Sequence, residues 1–155
     1  MTSAFRAFLQ DLEALPEAAF DKAISESTRP VADIVYEVIL FNDHIGHHLR
    51  GERPFDWPEY DLPVPEEARN KQAVISAFRT SSERILATVK AMSAEDLEVP
   101  IPIEAGQEPY QIAWAYPGEA TRFGRCQFMT AHAWYHDGQL NYIQALLGDG
   151  HCHWN

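Results

Sequence analysis

The feature that most restricts this chain is an apolar stripe at helical spacing with two histidines set into its middle. In Phe128-Met129-Thr130-Ala131-His132-Ala133-Trp134-Tyr135-His136-Asp137-Gly138-Gln139-Leu140, about 100° of turn per residue puts Met129, His132, His136 and Gln139 on one stripe, continued by Ile143 and Leu147. That stripe is the face a helix must bury. A buried polar group without a partner costs a few kcal/mol, so two imidazoles there need something that satisfies both. One turn apart, the rings converge on a point, which is the arrangement a metal ion takes from a single helix. The competing arrangement is an ordinary core in which each ring bonds a Tyr hydroxyl or a carboxylate. The segment is not the zinc-protease motif, because Ala133 stands where that chemistry needs a glutamate base.

The rest of the chain supplies three more helical patterns. Phe5, Phe8, Leu9, Leu12 and Leu15 predict a helix over Ser3 to Leu15, ended by Pro16, with a loose turn or two from Glu17 to Ser25. Val31, Ile34, Val38, Phe41, Ile45 and Leu49 predict a second helix that ends at Gly51. A hydroxyl of Ser27-Thr28 serves there as cap, and Pro30 lies in the first turn. Val74, Ala77, Phe78, Ile85, Val89 and Met92 predict a third from Glu67 to Met92, and the last runs from Glu119 to Leu147. Between the second and third lie Pro54, Pro58, Pro63 and Pro65, too dense for a regular element. After the third, Glu98 to Gly118 alternates weakly, as a small hairpin would. The expected fold is all-α: an antiparallel four-helix bundle with long loops after helices 2 and 3, a single domain over residues 1–155.

Composition excludes several functions. With 12 Lys+Arg against 23 Asp+Glu, net charge is −11. Nucleic-acid affinity comes from neutralising phosphates with clustered cations, so DNA and RNA are poor partners, and anionic membranes fail on the same count. No apolar stretch approaches the ~20 residues that span a bilayer, and the N-terminus lacks the pattern of a signal peptide. The expectation is a cytoplasmic protein. Cys126 and Cys152 read as two reduced thiols rather than a disulfide framework.

A two-histidine site needs a third ligand from a facing helix. The second helix offers Glu37, His44, His47 and His48. Glu37, His44 and His48 fall at i, i+7 and i+11, along one flank. Glu37 sits among Val35, Tyr36, Val38, Ile39 and Leu40, where a carboxylate is expensive unless paired or coordinated. His47 and His48 suit a solvated helix end, where an imidazole complements the dipole. Glu37 and His44 both stay open as third ligand. Three protein ligands would leave open positions for water or substrate, as catalytic sites do. Trp57, Tyr60 and Trp114 can wall a pocket or simply cover a bundle end, and the tail His151-Cys152-His153-Trp154-Asn155 reads as a frayed terminus, with a tail folded back over the bundle mouth as the alternative.

His132-x-x-x-His136-x-Gly138-Gln139-Leu140, followed by Asn141-Tyr142-Ile143 and Leu147-Gly148-Asp149, resembles the last helix of the DinB/YfiT-like metalloenzyme family. The ending Leu49-Arg50-Gly51-Glu52 is similar to that family's second helix. The resemblance implies a four-helix bundle, usually a homodimer, with a three-histidine site for a divalent metal ion. It further implies a small-molecule substrate, in some members a low-molecular-weight thiol, and a thiol-dependent transferase or isomerase activity. Counted back from Arg50-Gly51-Glu52, the family's first metal histidine falls on Glu37, which leaves a Glu37/His132/His136 set, with His44 as the alternative third ligand. Carboxylate oxygen and imidazole nitrogen together suit zinc, nickel or iron. The expected function is therefore metal-dependent transfer, isomerisation or hydrolysis on a small molecule. The alternative is a noncatalytic, metal-binding or stress-related dimeric bundle.

Overall fold

The computed structural model describes residues 1–52, 64–101 and 121–154. Among these, the chain is helical and carries no strand. Helix α1 spans Thr2–Ala14, α2 Ala18–Asp21, α3 Val31–Arg50, α4 Lys71–Lys90, α5 Ala94–Leu97 and α6 Arg122–Leu146, with a 3₁₀ turn at Glu66–Ala68 before α4. The four long helices pack around one core: α3 lies against α4 and α6, and α1 lies against the same two. Phe78 of α4 stacks on Phe8 of α1 with ring centroids 4.6 Å apart, and Phe5 meets it edge-on at 5.9 Å. Leu12, Leu15, Phe20, Val38, Ile45, Met129 and Leu140 are wholly buried beside them. None of the described helices is long and apolar enough to cross a membrane.

The helix ends follow local chemistry, and several differ from the sequence expectation. Neither Ser27 nor Thr28 caps α3. Pro30 occupies the cap position, and the Thr28 hydroxyl instead bonds the carbonyl of Ser25. At the other end Gly51 takes φ +71°, the left-handed conformation glycine adopts most cheaply. This lets the Glu52 N–H reach the His47 carbonyl at 2.9 Å, the Schellman arrangement. The third long helix starts four residues later than expected, because the Asn70 side chain accepts the Ala73 N–H at 2.9 Å and sets the cap there. Thr121 does the same for α6 through Gly124, so that helix begins at Arg122 rather than Glu119. Leu147, expected on the inward stripe, lies past the end of α6 and is exposed.

Ser93 and Asp96 form a capping box around α5. The hairpin expected over Glu98 to Gly118 falls mostly outside the described residues; its flanks meet in one antiparallel bridge between Pro100 and Thr121. Trp57, Tyr60 and Trp114 also lie outside them. The tail is not frayed. Trp154 donates its indole N–H to the Asp11 carboxylate at 2.8 Å and packs edge-on against Trp134, and His153 bonds Asp149 at 2.9 Å. Cys126 and Cys152 are both free thiols.

Candidate metal centre

The middle of α6 supplies His132 and His136, and the middle of α3, packed against it, supplies Glu37. The two imidazoles point the same atoms at each other, with Nε2 to Nε2 at 3.1 Å. Glu37 Oε1 lies 3.4 Å from His136 Nε2. All three donor atoms fall within 4.8 Å of one another, the one such group of three among the described residues. Two ligands held ~2.0–2.1 Å from a tetrahedral zinc ion stand roughly 3.3 Å apart. The 3.1 and 3.4 Å spacings bracket that value and the third is no more than 4.8 Å, so the donor set suits a divalent ion in chemistry and comes near it in size.

Neighbours hold each of these donors in place. Phe41, one turn beyond Glu37, stacks on the His132 ring with centroids 4.1 Å apart and planes 24° apart, and Phe128 meets Phe41 edge-on at 5.2 Å. These contacts fix the plane of the His132 imidazole. Burial, reinforced by the nearby His136 and opposed by Glu37, brings the His132 pKa down to about 3. Its ring is therefore neutral at ordinary pH, as a ligand must be. His136 is 1% exposed, and its Nδ1 lies 2.9 Å from Gln139 Oε1. An N–H donated there leaves the Nε2 lone pair free to face the other two donors, the usual outer support of a metal-bound histidine. The other ring differs: His132 Nδ1 is buried and has no hydrogen-bond partner among the described residues. With hydrogen bonds alone, one Nε2–H donated to the facing Nε2 satisfies the two rings but leaves Glu37 Oε1 outside that bond. The grouping is better completed by a cation.

His44 does not join this group. It is buried on α3 beside His48, with ring centroids 4.7 Å apart. Burial and then Arg125 bring its pKa down to about 4, while burial and then His44 bring His48 down to about 3. His48 is thus a desolvated neutral ring and not a solvated helix-end cation. His47, nearer the surface, pairs with Glu52 at 3.0 Å.

Sequence reasoning missed two further parts of this region. Arg29, just ahead of α3, forms an ion pair with Glu37 through Oε2. On the next face of α6, Asp137 meets Asp11 of α1. Both are buried, and burial followed by the Asp11 charge and hydrogen bond pushes Asp137 up to about 8. Asn141 donates to Asp11 at 2.8 Å, and Gln144 donates to the Asp11 carbonyl at 3.1 Å. A signal for Asp11 existed: it stands three residues past Phe8 on the inward stripe, the same polar-in-apolar anomaly that exposed the histidines. For Arg29 there was none, since its partner is eight residues away across a helix start.

The sequence model of the DinB superfamily matches residues 1–140. The chain belongs to the DinB superfamily. That match takes in Glu37, His132 and His136 together. No curated protein matches the chain. Family and donor group together point to a metal ion as the cofactor.

Proposed function

We propose that this DinB-superfamily protein holds one divalent metal ion on Glu37, His132 and His136 and acts with it on a small molecule. The observation that carries the reading is the convergence of the two Nε2 atoms and Oε1 at metal-ligand spacing. We further infer that the four long helices form the antiparallel bundle of the family, as one domain over residues 1–155, paired as a homodimer. The ion is zinc, nickel or iron by donor type. When bound, it supplies Lewis acidity to a carbonyl, or a water or thiol with its pKa lowered toward neutrality.

The side chains have separate tasks. Glu37 offsets part of the ion's charge, which two neutral imidazoles alone leave uncompensated. His132 and His136 set the direction of approach through rings fixed by Phe41 and Gln139. Three protein ligands leave at least one position for a small ligand, and a low-molecular-weight thiol suits it because sulfur binds all three candidate ions. Thiol-dependent transfer or isomerisation is thus the leading reaction class, with hydrolysis second.

Elemental analysis of purified protein tests the centre. One equivalent of metal per chain, lost in His132→Ala while the helical signal persists, is the expected result. Metal-free protein that takes up no zinc, nickel or iron on addition ends the reading. A screen of thiol-dependent transfers with the loaded protein then tests the activity, and silence across it would leave a binding protein.

A further inference from the structure

Arg29 places an exposed guanidinium on a ligand carboxylate, which needs a reason beyond surface charge pairing. Pro30 excludes a helix upstream, so Arg29 stands just outside the first turn of α3. Glu37 lies two turns in, about 9 Å along the axis from Val31. Side chains on a helix lean toward its N-terminus, so Glu37 leans back toward Arg29, and the long Arg stem closes the remaining gap. The guanidinium takes Glu37 Oε2 through Nη1 and the Asp33 carbonyl through Nη2 at 3.1 Å. Asp33 is itself braced, its carboxylate 2.9 Å from Arg69, whose Nε bonds the Val64 carbonyl at 3.2 Å. The clamp is therefore anchored on α3 and on the segment entering α4.

The two oxygens of Glu37 are consequently divided. Oε2 faces a cation, and Oε1 faces His136 Nε2. A carboxylate otherwise binds a metal through one oxygen or both, and the choice decides how many positions remain for substrate. We propose that Arg29 is a positioning residue that holds Glu37 to a single coordinating oxygen and so keeps a coordination position open. This rests on the metal centre proposed above and adds a determinant of its geometry.

Cobalt(II) titration reports coordination number through its visible spectrum and affinity through the same signal. Wild-type protein should bind one cobalt ion with the strong absorption of a four- or five-coordinate centre. Arg29→Met removes the charge but keeps an unbranched apolar stem. It should shift the spectrum to the weaker absorption of a higher coordination number, with affinity changed by about 10-fold, as outer-partner losses typically do. Arg29→Lys, which retains a cation, should restore most of the wild-type spectrum. An Arg29→Met spectrum identical to wild type overturns the proposal whatever its affinity, because Arg29 would then be only a stabilising contact. If wild-type protein takes up no cobalt, the metal centre itself fails, and this inference with it. Should Arg29→Met not fold, infrared spectra of the zinc-loaded wild type against Glu37→Gln decide instead. A wide splitting of the Glu37 carboxylate stretches supports one-oxygen binding, and a narrow splitting overturns it.

Discussion

Two polar clusters sit side by side on α6, one of them half-buried and one buried, and they bring together different chemistry. His136 belongs to one and Asp137, the next residue, to the other. Around His136 two imidazole Nε2 atoms and a carboxylate oxygen converge. Around Asp137 two carboxyl groups face each other. A carboxyl held protonated meets the Asp11 carboxylate, which also receives Asn141 and the Trp154 indole. Those donors and the Gln144 amide on the Asp11 carbonyl all come from the chain itself, while both Asp137 oxygens and Asp11 Oδ1 are buried without a hydrogen-bond partner among the described residues. The first brings three metal-type donor atoms to one point, which the second does not, and that convergence is the physical case for a cation there. A buried polar group thus indicates a metal site only when its neighbours bring further ligand atoms to the same point.

The sharpest way to break this contrast is to remove a ligand from the first cluster. His132→Ala should lower zinc affinity by at least about 100-fold, beyond the usual loss for an outer partner, as read by competition with a chelating dye. A small loss would mean that the two clusters are alike after all. Next comes the second cluster. Asp137 has its folded-state pKa raised from 3.8 to about 8. Between those values the folded protein binds more protons than the unfolded chain, so stability from this group is present at low pH and falls as pH rises toward 8. The slope is at most about 1.4 kcal/mol per pH unit for one proton. Asp137→Asn keeps a donor toward Asp11 and should flatten the dependence between pH 5 and 8 in denaturant titrations, leaving the variant more stable at pH 8. An unchanged slope would show that no shared proton holds that pair.

Smaller effects sharpen the comparison. Gln139→Leu should weaken zinc by about 10-fold through loss of the His136 Nδ1 partner while shifting the melting temperature little; equal loss of stability and affinity would make Gln139 a packing residue. Trp154→Phe removes one hydrogen bond to Asp11 and should cost about 1 kcal/mol, a drop of roughly 2–4 °C in a chain of this size. Metal affinity should stay put, since the tail touches only the second cluster.

How much of this was legible beforehand follows from how local each signal is. Periodicity of 3.6 needs only neighbouring residues, so the four long helices, the α3 face from Val31 to Leu49 and the inward aim of His132 and His136 were all readable from the chain. Helix ends were less so, because Asn70 and Thr121 cap where the folded backbone presents them and Thr28 turned instead to Ser25. The choice between Glu37 and His44 was not readable from periodicity, and only the family resemblance favoured Glu37. Both lie on one flank of α3, and which of them meets α6 depends on where two helices cross, a relation between segments about ninety residues apart. The Arg29 clamp, the Asp11–Asp137 pair and the docked tail share that origin: side-chain chemistry is written in the sequence, but the partners that decide its use meet only when the helices pack.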